Sequence, residues 1–401
     1  MPLVATAEPP QAHCPAAAPL SRLGTQLHEV ARRIGRHDAA AGAALAATLA
    51  PLLSHPDPRA TGLLVFAQAL AERLADGSAA QVRRHLQRFE APQPQLLKLL
   101  DQHLPMARMA TRLANEALAQ ALRGEPHPAL VDIGMGNGRQ VSALLAGLAA
   151  AGELPRTLTL VGIEPDPEAL AQAQEILEAQ AARLGLALRF HAFAKPVEAL
   201  DAGDWARIAV VCRSAPVLNA AFALHHIAAH DTQHVRDHVL TRLAGLSPRC
   251  LVLTERDADH LEPRYAERFG HCLTHYGALF RVLDALPLPQ AERDALKVGW
   301  YGRQISDILG QPEARRSARH EPAERWAERL RQAGFGLSTP TLSLPDSGHP
   351  TLRAQPRDGH IAITGAGEPL LALLVAAPER GVPPGARRSP FAIPAGRAPL
   401  L

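Results

Sequence analysis

The stretch Ala129-Leu-Val-Asp-Ile-Gly-Met-Gly-Asn-Gly138 constrains the fold more than any other part of the chain. A breaker cluster, Gly124-Glu-Pro-His-Pro128, precedes it. The apolar run from Ala129 to Ile133 then has the length and β-branched content of a buried strand. A helical pattern from Gln140 to Ala150 follows the glycines. Strand, glycine loop and helix in this order are the context that gives a glycine pattern meaning, because glycine permits positive φ and a close approach of backbone to ligand.

The alternation continues downstream. Strands are expected at Thr157 to Ile163, Ala187 to His191, Arg207 to Cys212 and Cys250 to Thr254. Helices are expected at Pro167 to Leu184, Asn219 to Ala228, Thr232 to Leu243, His260 to Leu286 and Ala323 to Ala333. The pattern predicts an α/β fold, a Rossmann-like core with a parallel-rich central sheet and right-handed crossovers. Ser338 to Pro356 reads as loop, and His360 to Thr364 and Leu370 to Val375 as late antiparallel strands. Before the glycine loop, apolar residues recur at helical spacing over Gln26 to Leu53, Thr61 to Leu74 and Pro94 to Leu122, and the strongly basic stretch Ala80 to Phe89 reads as a solvated helix face, which together predict a mainly amino-terminal helical cap. The organisation expected is a proline-rich tail over 1–20, a cap over 21–123, a core over 124–376 with a helical insertion around 260–330, and a second disordered tail over 377–401.

An acid two positions before the first glycine and a second acid at the end of the next strand suit a nucleoside ligand, since a carboxylate there can accept from both ribose hydroxyls. Asp132 and Glu164 hold those positions, with Gly134, Gly136 and Gly138 between them. Asp132, and a third strand ending at His191-Ala-Phe-Ala-Lys195, favour S-adenosylmethionine (SAM) over a nicotinamide cofactor and add Phe193 and Ala194 to the binding set. The alternative is a tight glycine turn with Glu164 beside a helix N-terminus at Pro165 and Asp166.

With 42 basic and 39 acidic side chains, the formal net charge is +3, and no run of like charge signals nucleic acid or an anionic membrane. Cys14, Cys212, Cys250 and Cys272 show no metal or disulfide spacing, so no metal is expected and a reducing cytoplasm is the simplest location. No apolar window reaches membrane-spanning length. Heavy use of Ala, Leu, Arg and Pro fits a GC-rich bacterial genome.

Several segments, in order, resemble one family. Leu27-His-Glu-Val-Ala through Ala71-Glu-Arg-Leu74 is similar to the first leucine-rich region of GRAS proteins, and Thr111-Arg-Leu-Ala-Asn-Glu-Ala-Leu118 to their next conserved segment. Val131-Asp-Ile-Gly stands at the VHIID position, and the resemblance runs on through Leu253-Thr-Glu-Arg-Asp-Ala-Asp-His260, Tyr301-Gly-Arg-Gln-Ile, Arg319-His-Glu321 and Trp326. It implies a Rossmann-like methyltransferase core with a helical cap. Plant members are known chiefly as transcriptional regulators, and bacterial relatives are thought to be methyltransferases. The full glycine loop favours the second reading, a SAM-dependent methyltransferase of bacterial type acting on a small-molecule methyl acceptor. The alternative is a non-catalytic GRAS-type module that binds a ligand or a protein. A homodimer is compatible with either.

In an open α/β sheet the ligand lies beyond the carboxyl ends of the strands. With the strands placed as above, that selects Arg213, Ser214, Asn219, Glu255 and His260. Asn219, Glu255 and His260 are the catalytic candidates, the last two as bases, and Arg213 joins the cofactor set. The alternatives are that Glu255 anchors Arg256 or a helix N-terminus and that His260 is a capped loop histidine. His226, His230, His234 and His238 recur every four residues, but Asp231-Thr232 resembles the start of a new helix, so a solvated face is expected there rather than a metal site.

Overall fold

A computed structural model describes residues 18–75, 77–227 and 232–379. The amino-terminal third is helical: α1 (Leu20–Gly35), α2 (Ala41–Leu53), α3 (Ala60–Leu74), α4 (Ser78–Leu86), α5 (Gln93–His103) and α6 (Pro105–Leu122). Both expected tails lie mainly outside the described residues, but their inner limits move. Leu20 already opens α1, and the last strand runs to Pro378, where Pro378 and Ala377 pair with Phe335 and Gly336.

From Ala129 onward strands and helices alternate: β1 (Ala129–Ile133), α7 (Arg139–Ala150), β2 (Thr157–Ile163), α8 (Pro167–Leu184), β3 (Ala187–Phe193), α9 (Ala202–Cys212), β4 (Val217–Ala221), α10 (Thr232–Gly245) and β5 (Cys250–Arg256). The local chemistry explains the boundaries. Asp166 caps α8 by accepting from Glu168 N at 2.9 Å and Ala169 N at 3.3 Å, Pro167 occupies its first turn, and Gly185 ends it with φ 70°.

The described strands form one nine-stranded mixed sheet in the order β3-β2-β1-β4-β5-β9-β8-β7. β6 (Phe335–Ser338) also pairs with β9 (Glu368–Pro378), while β8 (His360–Gly365) and β7 (Leu352–Arg357) complete the antiparallel end. β1 to β5 are mutually parallel, and β9 runs antiparallel to β5. The alternation of side chains along each strand separates two cores. Leu130, Leu158, Leu160 and Val252 face the apolar cluster shared with α1 to α8. Val131, Ile133, Leu251 and Leu253 face α9, α10 and α14 (Ala323–Gln332), with Trp205 and Trp326 filling that side.

Between β5 and α14 lie α11 (Tyr265–Asp284), α12 (Gln290–Ala295) and α13 (Gly302–Ile305), the last flanked by π-helical stretches at Leu296–Tyr301 and Ser306–Gly310. The helix expected from His260 starts only at Tyr265, and the carboxyl end of the expected loop 338–356 is strand β7.

One correction matters for the site. The expected strand Arg207 to Cys212 is the second half of helix α9, and Asn219, expected at a helix start, lies within strand β4. A reciprocal capping box sets the helix: Asp201 accepts from Asp204 N and the Asp204 carboxylate accepts from Asp201 N. Trp205, Ile208 and Cys212 then form its buried stripe. Val210, which makes the run look like a strand, is 74% exposed.

Candidate functional site

The glycine loop leaves β1 at the centre of the sheet, where the chain order reverses between β2 on one side and β4 on the other. Gly134, Gly136 and Gly138 all have positive φ, at 69°, 54° and 74°. Their reasons differ. A Cβ on Gly134 would lie 2.5 Å from the Cβ of Ala223, so packing excludes a side chain there, and one on Gly138 would be crowded at 3.0 Å from Leu177 Cδ1 and 3.1 Å from Ala173 Cβ. At Gly136 a Cβ would meet nothing within 4 Å, so the middle glycine presents its backbone to open space.

Glu164 ends β2 beside this loop, half-buried. Its Oε2 accepts from Gly136 N at 2.8 Å and its Oε1 from Asp166 N at 3.1 Å. It thus holds the middle of the loop and the approach to α8 together, and each oxygen keeps lone-pair capacity for a further donor. Phe193 and Ala194 close β3 at the same edge. Phe193 is buried with its ring under the guanidinium of Arg207 at 4.3 Å, whereas Ala194 is exposed.

Asp132 is 3% exposed and does not face the open loop. It lies in register with Asn219 on β4, whose Nδ2 donates to its Oδ1 at 2.7 Å. Gln140 Nε2 donates in turn to Asn219 Oδ1 at 3.4 Å. Burial raises the Asp132 carboxyl to about 7, with the Asn219 bond opposing and nearby Glu164 reinforcing the shift. Asn219, expected to be catalytic, therefore supports a near-neutral buried acid.

The other candidates separate. Arg213 ends α9 with φ 56° and is exposed before the amino end of β4, and Ser214 Oγ donates to His127 O at 3.1 Å, just upstream of β1. Both stand at the opposite edge of the sheet from the glycine loop. This follows from the displaced strand and corrects the assignment of Arg213 to cofactor binding.

Glu255 reaches the carboxyl end of β5 but is 0% exposed. Oε1 accepts from Leu224 N at 2.8 Å and His225 N at 3.2 Å, and Oε2 pairs with His225 Nδ1 at 2.8 Å. Burial pushes its carboxyl up, but His225 and Arg236 outweigh that and hold it below the usual range. It is an ionised anchor for the turn after β4, the helix-N-terminus alternative of the sequence reading. His260 is also sealed. Its Nδ1 faces His320 Nδ1 at 2.9 Å, its amide donates to His320 O, and Arg316 donates to its carbonyl. Burial, reinforced by neighbouring cations, pushes its ring well below the ordinary histidine value. Among the described residues no three of His, Cys, Asp and Glu converge to hold a metal. Of the histidine run, His226 ends a 3₁₀ turn and His234 and His238 lie on α10, while His230, beside which a break is expected, lies outside the described residues.

The sequence pattern of the GRAS domain family matches residues 23–358. The chain belongs to the GRAS domain family. GRAS family protein RAD1 of Lotus japonicus is 30% identical over 291 residues, 67% of this chain and 55% of that protein. Scarecrow-like protein 18 of Arabidopsis thaliana is 30% identical over 248 residues, 59% of this chain and 55% of that protein. The chain spans about half the length of these curated relatives. The solved structure of SCL7 from Oryza sativa superposes with a TM-score of 0.71 at 23% identity, over 88% of this chain and 99% of that one, which establishes the shared fold.

These findings correct the functional expectation. The relatives are plant GRAS proteins, including Scarecrow-like and DELLA proteins, and the matching fold is that of a GRAS protein. They overturn the reading as a SAM-dependent methyltransferase acting on a small molecule, and they lend the bacterial placement no support. The non-catalytic alternative fits them better. No helix among the described residues is long and apolar enough to cross a membrane.

Sequence reasoning missed His225 and Arg256. His225 adjoins the histidine run but is out of its four-residue spacing, and Arg256 lies inside a matched family segment. The usable signal for Arg256 was its place at the carboxyl end of β5, beside Glu255.

Proposed function

We propose that this GRAS protein is a non-catalytic regulatory module that binds a ribose-bearing ligand, S-adenosylmethionine or its demethylated product, on the glycine loop and acts through binding rather than turnover. One contrast carries the reading. The side chains suited to move a proton, Glu255 and His260, are 0% exposed and committed to structural partners, whereas Gly136 opens outward beside Glu164. In this reading Glu164 accepts from the ribose hydroxyls with its remaining lone pairs, the backbone at Gly136 lies along the ligand, and exposed Ala194 borders it. Occupancy would add contacts across β1, β2 and β3, which share a core with α6 and α7, and so bias the surface of the cap.

The test is equilibrium binding of S-adenosylhomocysteine to the full chain and to Glu164→Gln, which keeps an acceptor for Gly136 N while weakening a paired ribose contact. The substitution should weaken binding about tenfold, about 1.4 kcal/mol. Equal affinity of the two proteins would remove Glu164 from the site.

A further inference from the structure

A cavity of about 590 Å³ lies between the cap, the carboxyl ends of β4 and β5 and the π-helical segment, within the size range of small-molecule sites. Its lining includes none of the glycine-loop residues. Leu97, Leu100, Leu104, Met106, Trp300 and Leu371 belong to its apolar wall. The polar groups are unevenly matched. Arg256 enters from the end of β5 with its guanidinium 5.7 Å from the ring centre of Tyr276 and 5.9 Å from that of Tyr301, and its Nη1 is buried with no hydrogen-bond partner. His226, exposed, and Arg303 add donors at the same cavity.

The carboxylate on the wall, Asp307, is already committed. Its Oδ1 accepts from Ser317 N and Ser317 Oγ, each at 3.0 Å, and its Oδ2 accepts from Ala318 N at 2.7 Å. A buried guanidinium N–H without an acceptor is unfavourable, and a planar carboxylate matches the fork of donors that Nη1 belongs to. Two backbone features mark the same cavity. Phe222, a non-glycine residue, is held at φ 54° on its wall, and Trp300, Tyr301 and Asp307 all come from π-helical turns, which recur at functional sites.

We infer that this cavity binds an amphipathic monocarboxylate, with the carboxylate on Arg256 and the apolar body against Leu100, Leu104, Met106 and Trp300. The occupant is a carboxylate rather than a phosphate, because Arg256 is the cation packed deepest among the aromatic rings and the rest of the wall is mainly apolar. This site is distinct from the glycine loop, and its ligand adds a second input to the molecule.

Trp300 gives a direct readout, since Trp205 and Trp326 are buried on the other face of the sheet. The full chain is titrated with octanoate, decanoate and 4-phenylbutyrate, and with decanamide as the neutral counterpart, following tryptophan emission and, independently, heat. At least one acid should bind saturably, decanamide at least tenfold more weakly than decanoate, and Arg256→Gln and Ala107→Phe should each weaken acid binding at least tenfold. Ala107 is a half-buried wall residue on α6, so its enlargement fills the cavity while leaving Arg256 in place. Absence of saturable binding by all three acids, equal affinity for acid and amide, or wild-type affinity in both variants would each overturn the assignment. Should Arg256→Gln not fold, the comparison of acid with amide on the unaltered chain still decides. No nucleoside enters the experiment, so its failure leaves the reading of the glycine loop standing.

Discussion

Asp132 shows how one residue can be placed correctly by motif and still do different chemistry from that expected. It stands two positions before Gly134 as a ligand-binding acid would, but its side chain is spent on Asn219 within the sheet. Its raised value of about 7 has a consequence for stability. The folded protein holds the proton more tightly than the unfolded chain, so its contribution is fully present below about pH 4 and is lost as pH rises toward 7. Asp132→Asn should therefore stabilise the fold at pH 8 by roughly 2 to 4 kcal/mol and make little difference at pH 4, read from urea unfolding at both values. A constant offset across that range would mean that Asp132 ionises normally. Arg213 offers the complementary test: at the opposite edge of the sheet, Arg213→Ala should leave nucleoside affinity unchanged in a calorimetric titration, and a tenfold loss would restore it to the site.

At the scale of elements, α10, α14 and the segment before α14 are tied by a buried ion cluster. Glu321 takes Arg236 Nη1 at 2.5 Å on Oε1 and Arg329 Nε at 2.7 Å on Oε2. Arg236 Nη2 also donates to His225 O at 3.0 Å and Arg319 O at 2.7 Å, which links the cluster to the turn anchored by Glu255. Glu321→Ala leaves the buried Arg236 without its carboxylate and takes one carboxylate from Arg329, which keeps Asp237, and should cost about 3 to 5 kcal/mol, measured by chemical denaturation; a loss below about 1 kcal/mol would show the cluster to be dispensable. The matched family segment Arg319-His-Glu321 is thus structural. Much of the architecture was legible in the chain. α8 was readable to the residue because proline, a capping aspartate and a terminal glycine mark its ends, and β1 and β2 were readable because their apolar runs stop at glycine or an acid. The failure lay between β3 and β5. There Ile208 to Val211 carries β-branched residues on a helix whose caps were not recognised, and the short strand Val217–Ala221 has alanines where bulky side chains were expected. That slip moved Arg213 to the wrong edge and gave Asn219 a catalytic role. The cavity around Arg256 was illegible because its walls come from segments spread from Leu97 to Leu371 and only the tertiary fold brings them together.

For the whole molecule, the two sheet faces join cap, core and carboxyl-terminal strands in continuous packing, so local titrations report on global stability. His260, His275 and His320 are buried. Burial, with Arg256 and neighbouring histidines adding to it, drives His260 and His320 well below the usual histidine value, and burial and Arg256 bring His275 to about 3. Depressed folded values mean that the unfolded chain binds the protons first, so stability is present above about pH 6.5 and falls as pH drops below it. Between pH 7.5 and pH 5.5 the three should together remove about 4 kcal/mol, seen as a lower urea midpoint in the Asp132→Asn variant, which lacks the opposing gain from the Asp132 carboxyl. A midpoint unchanged over that interval would place these rings in contact with solvent. Calorimetric titration of the full chain with S-adenosylhomocysteine, with NAD as the comparison, tests the central claim most directly: the account predicts saturable binding of the first at micromolar concentrations and none of the second, whereas no saturable heat with S-adenosylhomocysteine would contradict a ligand-binding role for the glycine loop.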